Sequence, residues 1–163
     1  MALVTSQSTL PDFEHEYHTV IVDTVDDSSK QKFTSYFPTP LENIVQVQLM
    51  AAHINGHDAS NFIHLKIDEL RTIFSQRGKT DLETGGDNMI NGVFGTLVTD
   101  GTSRLVFKNE YQVIQQYYNP IRKLDRITVD VLKETGAAAV YSGGSQETCL
   151  IFRFICKKRN LAH

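Results

Sequence analysis

Short segments in which polar and apolar residues alternate recur along this chain, and they restrict the folds that it can adopt. Residues 44–52 alternate in this way, with Gln46 and Gln48 between apolar side chains, and residues 124–133 do the same. Successive side chains of a β-strand point to opposite faces, so this alternation is typical of half-buried strands. No segment shows the periodicity of an amphipathic helix. The residues predicted to be buried are Val45, Val47, Leu49, Ile127, Val129, Val131, Phe152 and Phe154.

Turn signals separate these segments at close spacing. Asn55-Gly56 and Asp100-Gly101 are typical of tight turns, because glycine adopts positive φ angles without strain. Residues 104–107 and 111–116 are predicted to form a hairpin, and the Tyr-Tyr-Asn-Pro sequence that follows interrupts the strand pattern. About eight strands are therefore expected.

Many short strands without helices favour a sandwich, and eight strands in two sheets is the number found in a jelly roll. A chain of 163 residues is long enough to build such a core without disulfides. We predict an all-β, single jelly-roll β-sandwich of about eight antiparallel strands in residues 17–156. An N-terminal arm (residues 1–16) precedes it, and a basic C-terminal tail (residues 157–163) follows.

Charge and hydropathy exclude some classes of partner. The net charge of −3 gives no reason to expect nucleic-acid binding by the domain. The exception is a basic run, Lys157, Lys158 and Arg159, which suits either a solvated strand end or a contact with an anionic partner. The longest apolar runs fall far short of the ~20 residues that a membrane-spanning helix needs, so no membrane span is expected.

The two cysteines, Cys149 and Cys156, lie seven residues apart in one predicted strand. At about 3.3 Å per residue they are roughly 23 Å apart, which is too far for a disulfide. Free thiols are typical of a reducing compartment such as the cytoplasm. Their strand is apolar on both faces except at Arg153, as in a central or an interface strand.

The order of motifs carries the most information about function. An apolar TVIV run ends in Asp23, a Pro-Thr-Pro turn follows, and an LEN tripeptide leads into a strand that ends in two alanines. Further motifs follow in order: FIHLKIDEL at residues 62–70, GVFGTL at residues 92–97 and PIRKLDRITV at residues 120–129. Over residues 18–156 this order resembles the jelly-roll minor capsid proteins of nucleocytoplasmic large DNA viruses.

The resemblance implies a structural protein and not an enzyme. It implies a minor capsid protein that cements the major capsomers of an icosahedral virion, is assembled in the host cytoplasm and uses no cofactor. The implied partners are the major capsid protein, other minor capsid proteins and copies of itself. The alternative is a β-sandwich recognition domain that binds a carbohydrate or a peptide, although the lack of tryptophan disfavours a sugar-binding face.

Candidate metal and nucleotide sites are weak in this sequence. His53, His57, Asp58 and His64 form the best metal-like cluster. They fall on a strand end, a turn and an exposed strand face, where their spacing does not converge on a metal ion. The acidic loop with Asp23, Asp26 and Asp27 lacks the glycine and the dense oxygen ligands of a calcium loop. Gly78-Lys79-Thr80 ends like a phosphate-binding loop but lacks the preceding glycine. We expect no metal and no bound nucleotide.

Catalytic chemistry is also poorly supported. Cys149 is the candidate nucleophile, but a cysteine in an apolar strand has a raised pKa and poor access. Tyrosine is enriched at interfaces, so Tyr117 and Tyr118 are candidate partner contacts, although core packing accounts for such residues equally well. With the arm, the loop at residues 76–91 and the tail from Lys157, they are predicted to contact other chains.

Overall fold

The computed structural model describes residues 14–25, 30–56, 60–70, 75–76, 89–90, 92–139 and 147–158. In this part of the chain the backbone is almost entirely extended, with one 3₁₀ turn at Asp68–Leu70. The strands are β1 (His15–Asp23), β2 (Lys32–Asn55), β3 (Phe62–Ile67), β4 (Ser75–Gln76), β5 (Met89–Ile90), β6 (Val93–Val98), β7 (Arg104–Phe107), β8 (Val113–Lys133) and β9 (Glu147–Lys157).

Seven of these strands form one antiparallel sheet in the order β1-β9-β2-β8-β3-β6, with β7 also paired to β2. The long strand β2 bends and contributes to both layers of a sandwich. The front layer contains β1, β9, the second half of β2 (residues 44–55) and β7. The back layer contains the first half of β2 (residues 32–41), the part of β8 after its bulge (residues 121–133), β3 and β6. The start of β8 (residues 113–116) pairs with the second half of β2 and continues the front layer.

The pairing has the nested order of a jelly roll. β1 pairs with β9, which is the last strand, and the first half of β2 pairs with β8. The second half of β2 pairs with β7, and β3 pairs with β6. A long hairpin of paired strands that rolls up into two four-stranded layers produces this arrangement. The predicted all-β, antiparallel jelly-roll sandwich is therefore confirmed.

Two irregularities bend the long strands. Between the pairs Tyr36–Arg126 and Leu41–Leu124, β2 has four residues where β8 has one. Proline cannot donate to a ladder, so Pro38 and Pro40 suit this unpaired stretch. Further along, β8 in turn has four residues (117–120) opposite Val45 of β2. We call the segment at residues 117–120 the β8 bulge.

The two layers enclose one main core. Phe94 of β6 and Phe152 of β9 lie at distant positions in the sheet order, yet their ring centroids are only 5.7 Å apart. The sheet must therefore fold over itself. Gly95 allows the close approach of β6 and β8, because a Cβ atom at this position would lie 2.3 Å from Cγ1 of Val113.

Several sequence-based assignments are corrected. Val45 is only half-buried, because β-bulges shift the alternation of β2 so that Ile44 and Ala52 face the core. The other seven predicted core residues are buried, as are Phe94 and Leu150. Residues 32–37 and 44–52 belong to one continuous strand, and so do residues 113–116 and 124–133.

The predicted hairpin between residues 104–107 and 111–116 is wrong. β7 pairs with residues 52–55 of β2, and the start of β8 pairs with residues 46–49, so the two segments follow one another along the same strand. Asn109 lies in the loop between them and has a positive φ of 55°. A short loop therefore does not imply a hairpin when a third strand offers both segments a common edge.

The boundaries of the predicted arm and tail fall inside strands. β1 begins at His15 and β9 ends at Lys157, and the Lys158 N–H donates to the carbonyl of Glu14 at 2.9 Å. Residues 1–13 and 159–163, and most of the predicted loop at residues 76–91, lie outside the described residues. No helix in the described part of the chain is long and apolar enough to cross a membrane.

Candidate interaction surface

The outward side of the front layer is unusually apolar for a sheet face that meets solvent. Its side chains stand in cross-strand rows, because β1, β9 and β2 are in register. One row contains Tyr17, Ile155 and the polar Gln46, and another contains Ile21, Ile151 and Ala51. We call the three central rows of this surface the front face and define it by Tyr17, Thr19, Ile21, Gln46, Gln48, Ala51, Ile151, Arg153 and Ile155. The next row, Asp23, Cys149, His53 and Val106, is mixed in polarity and borders it.

The alternation of β9 places these residues outside. Leu150, Phe152, Phe154 and Cys156 fill the core, so Ile151, Arg153 and Ile155 must point the other way. Ile21 is 62% exposed and Tyr17 is 56% exposed. The outer side of an antiparallel sheet is ordinarily polar, so an apolar outer side indicates a surface that meets another molecule.

A polar row with one cation, Arg153, crosses the middle of the front face. Arg153 lies between Thr19 of β1 and Gln48 of β2, with the two apolar rows on either side of it. Arginine and tyrosine surrounded by aliphatic side chains are the residues that contribute most to protein–protein binding. The arrangement is suited to a partner that offers apolar groups and an acceptor for the guanidinium.

The opposite side of the sandwich, which we call the back face, is polar and internally bonded. Glu69 continues the pairing where β3 ends, since its carboxylate accepts from the N–H of Thr128 at 2.7 Å and from its hydroxyl at 2.9 Å. Arg126 lies 3.6 Å from the same carboxylate. The other members of the back face are Lys32, Thr34, Tyr36, Lys66, Asp68 and Asp130.

Asp130 is the member of the back face whose charge is least well compensated. Burial raises the pKa of its carboxyl group, and the nearby Lys32 and Lys66 oppose that rise only in part. Its Oδ1 atom is buried and has no hydrogen-bond partner among the described residues. The charged form of this side chain is therefore disfavoured in the folded protein.

The structure separates the two tyrosines of the β8 bulge. Tyr117 packs against the core and its hydroxyl donates to the carbonyl of Leu70 at 3.3 Å. Burial raises the pKa of that hydroxyl. Tyr118 is 100% exposed at the tip of the bulge. Of the two partner-contact candidates, Tyr118 is the one that a partner can reach.

Two of the three predicted basic residues lie together, beside acidic side chains. Lys157 and Lys158 line an open cleft at one end of the sandwich, together with Lys123, Glu16 and His18. Glu42 also lines this cleft, so two carboxylates accompany the three lysines and the cleft is not a purely basic patch. Arg159, the third predicted contact, lies outside the described residues.

The candidate metal ligands do not come together in the described residues, which contain no group of three or more side chains suited to a metal ion. His53 lies in the front layer, whereas His64 lies in the back layer and its Nδ1 is 2.8 Å from the hydroxyl of Thr96. His64 was expected on an exposed face, and its burial is a correction. His57, Asp58, Asp26, Asp27 and residues 78–80 lie outside the described residues.

Cys149 has the raised pKa expected of an unreactive cysteine. It is nevertheless half-buried on the outer side of the front layer, opposite Asp23 and His53, so it is more accessible than expected. Burial raises the pKa of its thiol, and the nearby Asp23 carboxylate raises it further. Burial also raises the pKa of Cys156 to about 11. Both effects lower the fraction of thiolate, the form that acts as a nucleophile.

Comparisons with known proteins add no identification. No protein-family model matches the sequence, and no curated protein matches it significantly. The front face must therefore be interpreted from its own geometry. The apolar character of residues 149–156 is visible in the sequence, whereas the part that Tyr17 and Ile21 play in this surface is not, because their partners across the sheet lie more than a hundred residues away.

Proposed function

We propose that this protein is a structural minor capsid protein of a large DNA virus, which cements major capsomers in the icosahedral shell. The observation that carries the proposal is the front face, where two apolar rows flank Arg153 on the outside of a jelly roll. The order of sequence motifs supports the same function. The proposed partners are the major capsid protein, other minor capsid proteins and copies of this chain.

The front face is the main docking surface in this proposal, and Tyr118 is a second one. A side chain that is 100% exposed at the tip of a four-residue bulge can enter a pocket of a neighbour without disturbing the sandwich. Tyrosine loses little conformational entropy when it binds, because it has only two side-chain torsions. Several modest contacts add by avidity once the protein lies within a shell.

The proposed location is the virion, after assembly in the host cytoplasm. Two free thiols are compatible with a reducing compartment. The proposed role needs no cofactor and no catalytic group, since its entire effect is the burial of surface against neighbouring proteins.

Quantitative mass spectrometry of purified virus particles tests the proposal directly. We expect the protein to be present at a constant ratio to the major capsid protein across particle preparations. Absence from purified particles would remove the capsid role and would favour the alternative, a recognition domain for a carbohydrate or a peptide.

A variant tests the surface. Ile151→Thr combined with Ile155→Thr keeps β-branched residues in β9 but removes apolar area from the front face. We expect a folded protein whose incorporation into particles falls about tenfold, as loss of an interface centre predicts. Tyr36→Ser is the matched control, because Tyr36 is 72% exposed but lies on the back face. Equal incorporation of both variants would show that the front face does not dock.

A further inference from the structure

The β8 bulge leaves an open recess beside the front face. Because β8 has four residues opposite Val45 of β2, the extra residues leave the ladder, and a hollow of about 460 Å³ lies beside that valine. We call it the bulge recess and define it by its lining residues, Val45, Gln46, Gln116, Tyr117 and Tyr118. Bulges occur often next to functional sites, because they re-aim a side chain that a regular strand would point elsewhere.

The aromatic and amide groups of the bulge recess are well placed for a ligand. Tyr117 is anchored to the core through its ring and its bond to Leu70, whereas Tyr118 is 100% exposed. Gln46 and Gln116 lie opposite one another in register, and Nε2 of Gln116 donates to Oε1 of Gln46 at 3.4 Å. A primary amide has one acceptor oxygen and two N–H donors, so the pair retains donors and acceptors for a ligand.

Charge and shape restrict the class of ligand that suits the bulge recess. Valine, glutamine and tyrosine side chains are neutral at pH 7, so its lining offers no counter-charge to a phosphate or to a charged peptide. Its volume lies within the range of about 300–1,000 Å³ that is typical of small-molecule sites. An extended peptide needs a free sheet edge or a long groove, and Gln46 is already paired on both sides, with Gln116 and Ile155. A compact, uncharged ligand with many hydroxyl groups fits these restrictions.

We propose that the bulge recess binds a neutral carbohydrate. One sugar ring stacks its C–H face on Tyr118, and its hydroxyl groups, which both donate and accept, bond to the amides of Gln46 and Gln116. Although the chain has no tryptophan, a fully exposed tyrosine supplies a flat aromatic surface of the same kind. The inference goes beyond the capsid proposal and does not depend on it, because the front face carries that proposal and sugar binding is measured on the isolated protein.

Saturation-transfer NMR on the full chain tests the site. The probes are D-glucose, D-galactose, D-mannose and N-acetyl-D-glucosamine, each titrated to ~50 mM. We expect at least one of them to bind saturably, with a Kd on the order of 1 mM, because an open recess gives a ligand of about a dozen heavy atoms modest affinity.

Variants locate the binding. Tyr118→Ala should weaken it ~10-fold or more, because the stacking surface is lost, whereas Tyr118→Phe keeps the ring and should change the Kd by less than about twofold. Gln116→Ala removes one of the two amides and should weaken binding severalfold. Tyr36→Ala is the matched control, since Tyr36 is 72% exposed on the back face, and it should leave binding unchanged. Each of these side chains is exposed, so the variants are expected to fold.

The outcomes separate this inference from the capsid proposal. No saturable binding of any of these sugars at ~50 mM would overturn it, as would equal binding by Tyr118→Ala and the wild type, or an equal loss with Tyr36→Ala. Binding of decaproline in place of every sugar would assign the recess to a peptide partner and would also overturn it. Sugar binding by a protein that is absent from virus particles would support this inference and remove the capsid role, so the two proposals fail separately.

Discussion

The front face and the back face belong to the same sandwich, but their polar groups are used in different ways. On the back face the charged side chains are bonded within the chain, as Glu69 is to Thr128 and Arg126. On the front face Arg153 stands between two apolar rows that project away from the core. One face serves the fold of this chain, and the other has the character of a surface for another chain.

This difference follows from how the two layers meet their surroundings. Where β3 ends, the backbone of β8 would lose a partner, and the Glu69 carboxylate replaces it. In the front layer β9 lies between β1 and β2, so its backbone is already paired on both sides. The outward side chains of β9 are therefore not needed to satisfy backbone groups, and they can contact another molecule. The contrast predicts that substitutions on the back face change stability, whereas those on the front face change association.

The largest effect on stability is expected at Glu69. Glu69→Ala removes the acceptor of both the Thr128 N–H and its hydroxyl, and hydrogen bonds to a charged group contribute about 1.5–3 kcal/mol. We expect a loss of about 2–3 kcal/mol in the free energy of unfolding, measured by urea denaturation. Arg126→Ala is the control and should cost less than about 1 kcal/mol, since its side chain is 52% exposed. Equal losses would mean that the ion pair, and not the backbone cap, is what matters.

A smaller effect is expected on the front face. Ile151→Thr with Ile155→Thr should lower the free energy of unfolding by about 1 kcal/mol, because the side chains are only half-buried. The same variant should bind less of the dye ANS in the native state, since ANS reports exposed apolar surface. A loss similar to that of Glu69→Ala would show that the front face is part of the structural core, and the contrast between the faces would fail.

The smallest effect is expected at Asp130, and it depends on pH. The folded protein raises the pKa of this carboxyl, so the folded state holds the proton more tightly than the unfolded state does. Stability contributed by the protonated form is present at low pH and is lost as pH rises through the raised pKa. Asp130→Asn should therefore be more stable than the wild type at neutral pH, by less than about 1 kcal/mol.

The pH dependence supplies the check on that last prediction. The difference between Asp130→Asn and the wild type should shrink as the pH is lowered through the titration of the carboxyl, as followed by thermal unfolding. Asp125→Asn controls for the change in net charge, because it removes an exposed carboxylate from the same strand. If Asp130→Asn were less stable at neutral pH, the attraction to Lys32 and Lys66 would outweigh the burial of the charge.

Some of the fold could be predicted from local pattern because strand alternation is a local property. Ile127, Val129 and Val131 are all fully buried, as the period of two required. Val45 was misplaced because a bulge adds a residue and reverses the faces beyond it, and nothing in the residues around it marks that position. The hairpin at residues 104–116 failed for a related reason, since the common partner strand is distant in sequence.

The sequence by itself determined the strand class and most of the core, because those depend on the side chains of neighbouring residues. Only the tertiary structure decided which apolar residues meet on the outside. Ile21 and Ile151 are opposite one another because β1 pairs with β9, and that pairing joins the two ends of the domain. The tertiary fold likewise turned Tyr117 inward and left Tyr118 exposed, although the two are adjacent in sequence. Which residues share a surface depends on the register of the paired strands, and the register between distant strands is set by the whole jelly roll.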